Sequence, residues 1–477
     1  MDMLTSRADR ELPTAQRLSS AVPLIIGSAL LLQGIDGTAI MVALPAMAQG
    51  LGTSIFAMNL AVSAYLLSIA VFIPASAWIA ERFGARATFC HAIGIFVIAS
   101  LLCGLSRSLP ELVAARIFQG FGGALMTPVG RLVLLRSVPR SDYVRAISLF
   151  TVPALIGPVL GAPLGGLIVE SMSWHWIFFI NIPLGLIGII ATLRAIPQSR
   201  ERHPGPFDLR GFLLLGAGLS LLTMALTGAG QNMRSATLAL LTGGGLAALL
   251  LYRWHDRRTA RPILDLNLLA TRSFRVVIHY GTLWRVAMAG VPILTTLLLQ
   301  LAFGLGPLAT GLIVFSGAAG ALFMKASAGT IINRFGFRTT MSANAILTAA
   351  FAALYGLFDS GTSHIVIVAA LFTGGYFRSL QYTGLGTLAF ADLPDNAMAR
   401  ASAFASVAQE MAQSIGASLA ILLVQGAMLL SASAHPGESE IRLAFMAIGA
   451  MGGLAALGFL KLDDQDGAAI RVPSPLT

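Results

Sequence analysis

The chain is built from fourteen runs of about twenty mostly apolar residues, joined by connections too short to fold alone. Inside a bilayer no water is available to backbone N–H and C=O groups, so each run has to satisfy them within itself, as a helix. The runs are 22–48, 56–80, 88–106, 110–134, 144–169, 174–195, 209–229, 236–252, 276–302, 308–330, 340–358, 364–390, 401–430 and 442–460. Composition agrees: 11% of residues are charged, where a soluble domain carries roughly 25%. Mean hydropathy is +0.80. An all-α integral membrane protein with no soluble domain follows. The run from residue 22 is long and contains Asp36, which points to a retained span rather than a cleaved signal.

The net charge of +10 does not point to nucleic acid, because the basic residues sit in short loops between apolar runs. Of the 31 Lys and Arg, 25 fall in alternate connections and at both ends, from Arg7, Arg10 and Arg17 to Lys461 and Arg471. Only Arg107, Arg234 and Arg442 fall in the opposite set of loops. By the positive-inside rule both termini are cytoplasmic, and an odd number of spans would break the alternation. Cys90 and Cys103 lie in one run, about 20 Å apart along a helix axis, too far for a disulfide.

An internal repeat divides the chain. Residues 77–86 and 329–338 match at five of ten positions, each following an even-numbered span. Arg116 and Gln119 of the fourth span are echoed by Arg378 and Gln381 of the twelfth, again eight spans on. This predicts a cytoplasmic N-terminus (1–21), a six-helix bundle (22–195) and a linker with two extra helices (196–275). A second six-helix bundle (276–460) and a cytoplasmic C-terminus (461–477) follow. Two parallel halves with a binding site between them are a recurrent transporter plan.

Several motifs are similar to those of the major facilitator superfamily, and specifically of its 14-span drug:proton antiporters of the EmrB/QacA type. The first span carries Gly34-Ile35-Asp36-Gly37-Thr38 and then Val42-Ala43-Leu44-Pro45. The loop at 77–86 resembles the superfamily's basic loop, with Ala77 in place of Gly and Glu81 in place of Asp. Arg116-Ile117-Phe118-Gln119-Gly120 resembles the Arg-x-x-Gln-Gly element of the fourth span. Gly157-Pro158, Gly161 and Gly165-Gly166 resemble the antiporter signature, and the stretch from Trp174 to Pro183 resembles the family's sixth span. Relatives commonly have Gln where this chain has Glu410. The resemblance spans roughly residues 22–460. It implies the major facilitator fold: two six-helix bundles plus two extra helices, fourteen transmembrane helices in all, in a bacterial inner membrane. It also implies proton-coupled export of drugs or other small amphiphiles by alternating access.

Charges inside a bilayer are costly and are functional candidates by default. The acids are Asp36 and Glu410; the bases are Arg116, Arg285 and Arg378. The superfamily's cavity is lined by the first and fourth helices of each half, here the first, fourth, ninth and twelfth spans, which hold four of the five. Asp36 or Glu410 is the expected proton carrier, with Arg116, which cannot deprotonate, as fixed counter-charge. Substrate-cavity candidates are Gln33, Gln119, Arg285, Gln300, Arg378, Gln381, Tyr382, Gln409 and Gln413; each could equally bond helix to helix. Gly157, Gly161 and Gly165 share one helix face, with Pro158 as a bend, and suggest a rocking seam. Glu81, Arg82, Gly84 and Arg86 suggest a conformational latch, weaker in the second copy (Arg334, Gly336, Arg338), where Asn333 replaces the acid. Trp174 and Trp176 are expected as membrane-interface anchors.

The expected partners are a small-molecule substrate, protons and the lipid bilayer, with a periplasmic adaptor protein possible, as some relatives use one. No metal-ligand cluster, phosphate-binding loop or nucleophile constellation is present, so neither an enzyme nor a cofactor is expected. An exporter of anionic or zwitterionic metabolites is the alternative, since a lipophilic cation would meet Arg285 and Arg378. A membrane sensor or channel is disfavoured by the lack of a signalling domain or a pore-lining ring of charge.

Overall fold

The computed structural model describes residues 21–137, 143–196, 205–230, 233–394, 397–433 and 435–468. The stretch 1–20 with Arg7, Arg10 and Arg17, and also Arg140, Arg200, Arg202 and Arg471, lie outside the described residues.

The described chain is helical throughout. The first half comprises α1 (Ala21–Gly50), α2 (Ile55–Phe83), α3 (Ala85–Leu105), α4 (Leu109–Ser137), α5 (Tyr143–Ser171) and α6 (Trp176–Ala195). Two further helices follow, α7 (Leu209–Ala229) and α8 (Ser235–Asp256). The second half comprises α9 (Arg272–Ala302), α10 (Pro307–Met324), α11 (Ala328–Tyr355), α12 (His364–Ala391), α13 (Met398–Ser431) and α14 (Glu438–Phe459). Among the described residues, 12 of these are both long and apolar enough to cross a bilayer. The other two, α11 and α12, are 28 residues each and carry Arg334, Arg338 and Arg378. A count of fourteen spans is compatible with this.

Local chemistry sets the helix ends. Ser54 caps α2 by accepting from the Ala57 N–H, and Asp208 caps α7 by accepting from Gly211. Gly84 separates α2 from α3 at φ +88°, and Gly336 kinks α11 at φ +74°. Side chains with a Cβ rarely adopt such angles. These two glycines occupy the same position in the two copies of the repeated loop, so the repeat in sequence is also a repeat in backbone conformation. Some helices extend past the expected runs: α3 opens at Ala85 and α11 at Ala328, because the flanking turns are polar yet still helical.

Packing repeats with the same eight-helix shift. In the first half α1 lies on α5, α2 on α4, and α3 on α4 and α6; in the second, α9 lies on α13, α10 on α12, and α11 on α12 and α14. The halves meet along two seams, α5 with α10 and α2 with α13, as a pseudo-twofold between them requires. α7 and α8 form a hairpin whose α7 rests on α2 and α13, while Leu240, Leu246 and Leu250 of α8 point outward as a lipid-facing surface would.

Trp174 corrects one expectation. It is buried, stacked on His175 and placed over Gly50, where any Cβ would collide with the indole. It plugs the end of α1 rather than anchoring at an interface. Trp176 is 48% exposed.

Candidate functional site

A polar cluster is sealed inside the first half. Asp36 of α1 pairs with Arg116 of α4 at 2.7 Å, and both side chains are at most 1% exposed. The other carboxylate oxygen accepts from Gln119 Nε2 at 3.1 Å and from Asn181 Nδ2 at 3.0 Å. Arg116 also donates to Gln119 Oε1 and reaches the Ala61 carbonyl, and its guanidinium lies 4.0 Å from the centre of the Tyr65 ring. Ser100 accepts from both Gln119 and Asn181. The Asp36 carboxylate thus joins α1, α4 and α6 directly, and Ser100 ties α3 to them through Gln119 and Asn181. A buried ion pair of this kind needs further hydrogen bonds to offset desolvation, and Gln119 and Asn181 supply them to the carboxylate.

The second half repeats part of this arrangement without the acid. Gln381 accepts from Asn344 Nδ2 at 2.8 Å and donates to the Met341 carbonyl. Gln119 bonds the third helix of its half and Gln381 the third helix of the other, so the two glutamines are structural equivalents. Arg378 has no hydrogen bond or ion pair among the described residues, unlike Arg116. Arg285 is buried with Nε and Nη1 unpartnered. Tyr382 packs edge-on against Trp284 and lies in the electrostatic field of Arg285, Arg378 and Glu410.

Glu410 of α13 sits deep in the molecule yet is only partly buried, so its carboxylate borders internal space. Gln413 donates to it at a long 3.4 Å, and Gln409 precedes it on the same helix. No cation is paired with it among the described residues. Its helix, α13, packs on α2 of the other half along one of the two seams.

The remaining candidates divide. Gln33 donates to the Gly123 carbonyl and accepts from Thr127, a bond between helices of one half. Gln300 donates across the halves to the Val42 carbonyl at 2.9 Å. Gly157, Gly161 and Gly165 all face α1, where an added Cβ would meet the backbone of Leu31, Ile35 and Ala39. The seam to the other half lies on the adjoining face of α5, where Gly311 sits against the Ala162 carbonyl. Glu81 and Arg82 are exposed; Arg86 donates to the Leu193 carbonyl within its own half. Arg334 lies beside the Phe335 ring, and Arg338 pairs with Asp464.

Bonds joining the halves gather at the end of the bundle away from the termini. Besides Gln300, they include Leu308 N to Glu170 and the Asn59, Ser63 and Ser418 cluster, with Ser63 and Ser418 hydroxyls 3.0 Å apart. Thr227 of α7 joins the same node. Between the halves, α1, α5, α9, α10 and α12 enclose a cavity of about 260 Å³.

The Major Facilitator Superfamily model matches residues 26–417. The chain belongs to the major facilitator superfamily. It is 38% identical over 450 residues to "Putative multidrug resistance protein MdtD" of Klebsiella pneumoniae (strain 342), covering 93% of this chain and 94% of that protein. Against the protein of the same name from Escherichia coli (strain K12) it is 38% identical over 405 residues, 84% of this chain and 85% of that one. These relatives bear out the resemblance to the drug:proton antiporter family. Solved structures share the fold. A POT family transporter aligns with TM-score 0.69 at 15% identity, covering 92% of this chain and 94% of that one. A D-xylose-proton symporter aligns with TM-score 0.65 at 18% identity, covering 94% and 98%. The protein is a multi-pass inner-membrane transporter of this superfamily.

Asn181, Ser100 and Tyr65 were not among the expected site residues. A signal existed for Asn181, the one amide inside the apolar run of the sixth span. Ser100 and Tyr65 carry none, since serine and tyrosine are ordinary in transmembrane helices.

Proposed function

We propose that the protein exports small amphiphilic molecules by proton antiport, rocking its two halves about the cavity between them. The observation that carries this reading is the contrast between its two intramembrane acids. Asp36 is tied by an arginine and two amides, so protonating it would break an ion pair. Glu410 borders internal space between the halves with no paired cation, so it can gain or lose a proton without breaking one. In this reading Glu410 carries the proton. The Asp36–Arg116 cluster holds α1, α3, α4 and α6 as one rigid body, so protonation at the seam moves a half rather than a side chain.

The distribution of basic loops supports placing the termini in the cytoplasm. The bonded ends of the halves then face outward, and the structure corresponds to a state closed to the outside. The extra hairpin rides on the α2–α13 seam.

The test is proton movement in inverted membrane vesicles carrying a pH gradient, with cationic, neutral and anionic amphiphiles added in turn. The wild type should collapse the gradient on addition of a substrate, and Glu410→Gln should abolish that response while still binding substrate. Full antiport by Glu410→Gln would remove Glu410 from the role.

A further inference from the structure

We infer that the cavity between the halves takes an amphiphilic anion, its negative group against Arg378 and Lys325 and its apolar body along α5. This names the substrate class for the export reading and rests on it.

The cavity is walled mainly by apolar side chains, among them Leu155, Val159, Pro292 and Val314. Two cations line it, Lys325 and Arg378, and among the described residues no acid does. They stand together: Ser379, next to Arg378, donates to the Ala321 carbonyl, one turn before Lys325 on α10. Neither charge is neutralised. Arg378 has no hydrogen bond or ion pair among the described residues, and Lys325 Nζ bonds only the neutral Thr383 hydroxyl, at 2.7 Å. Arg285, on α9 of the same half, is 4% exposed with two of its nitrogens unpartnered. Among the described residues no acid forms an ion pair with Arg378, Lys325 or Arg285; Asp36 is paired with Arg116 and Glu410 with no cation. Guanidinium groups in a low-dielectric interior are costly without a counter-charge, and a ligand carboxylate or sulfonate supplies one. A cationic head in the same place would add a third positive charge to two. The apolar walls favour a hydrocarbon or aromatic body over a small hydrated anion.

The same chemistry arrives from two sources, anionic lipid from the bilayer and dissolved anionic amphiphiles. The test compares a head-swapped pair, radiolabelled decanoate and decyltrimethylammonium. Each is bound at equilibrium to the full chain in phosphatidylcholine nanodiscs, with no proton gradient. Wild type should bind decanoate at least about tenfold more tightly. Arg378→Gln and Lys325→Gln should each reduce that preference, and the double variant should abolish it, while Arg378→Lys retains it. Gel filtration and helical circular dichroism check folding, and Lys325→Gln, at an exposed helix end, serves if Arg378→Gln misfolds. Competition by phosphatidylglycerol placed in the disc would assign the site to bilayer lipid. Competition by naphthalene-2-sulfonate alone would assign it to dissolved anions; either keeps the charge assignment. Equal binding of the two probes, or a preference that survives the double variant, would overturn it. Loss of antiport in vesicles with the binding preference intact would count against proton export and leave this inference standing.

Discussion

Arg116 is the residue whose loss should be felt most. Arg116→Ala would leave the Asp36 carboxylate buried with amide donors and no counter-charge, a change that costs about 3–5 kcal/mol. The expected outcome is a lower unfolding midpoint in detergent and no transport. Arg116→Lys keeps the charge but, as a point charge, does not span Asp36, Gln119 and the Ala61 carbonyl together, so it should fall between the two. A lysine variant as stable as wild type would show that the forked geometry is dispensable. The members of this cluster differ in how legible they are. Asp36 and Arg116 announce themselves because a charge in an apolar run is rare. Gln119 follows from its place three residues beyond Arg116. Ser100 and Tyr65 are ordinary residues whose part is set by which helices meet, a matter of tertiary packing. For the same reason the sequence could not separate Asp36 from Glu410: only packing shows that one acid has a cation and the other borders space.

Among the elements, α5 and the two glycine breaks are the most sensitive. Gly161 lies so close to Thr38 and the Ile35 backbone that α1 would have to move for any side chain to fit. Gly161→Val should therefore cost about 1–3 kcal/mol or more and lower both expression and the unfolding midpoint. Gly84→Ala and Gly336→Ala should each cost about 1–3 kcal/mol, from a positive φ combined with extended ψ that side chains with a Cβ rarely adopt. Equal losses at these two would support the equivalence of the two loops; a silent change at Gly336 would mean α11 can straighten there. The apolar runs made the helices readable, since lipid leaves little choice of structure. Their ends were less readable, because α3 already starts at Ala85, beside Arg86, and α11 at Ala328, before the basic loop and its kink at Gly336. The glycine stripe suggested a rocking seam, whereas Gly157, Gly161 and Gly165 pack on α1 of their own half, because sequence alone does not say which helix the small face meets.

For the whole molecule, the question is whether the bonded end must open. Ser63 and Ser418 face each other across the α2–α13 seam, near enough that cysteines at both places could be bridged. Cys90 and Cys103 are free thiols, so the experiment starts from Cys90→Ser with Cys103→Ser, once that background is shown to transport. Oxidising Ser63→Cys with Ser418→Cys should stop transport, and reductant should restore it, because alternating access requires each end to part in turn. Either single cysteine should be indifferent to oxidant. If the bridged protein still transports, the halves do not separate here, and the rocking model has lost its hinge geometry. The same bridge reads coupling. If Glu410 carries the proton that lets the halves move, Glu410→Gln holds one protonation state permanently, and the rate of bridging should differ from wild type and vary with pH only as thiol ionisation requires. Thr227 of α7 hydrogen-bonds Ser418 at this node, so the extra hairpin should share in the motion. Thr227→Val removes that bond at nearly constant volume, and bridging should then change modestly, by an amount in keeping with the about 0.6 kcal/mol of an average transmembrane hydrogen bond. A large effect would make the hairpin part of the gate; none would leave it as a passenger on the seam.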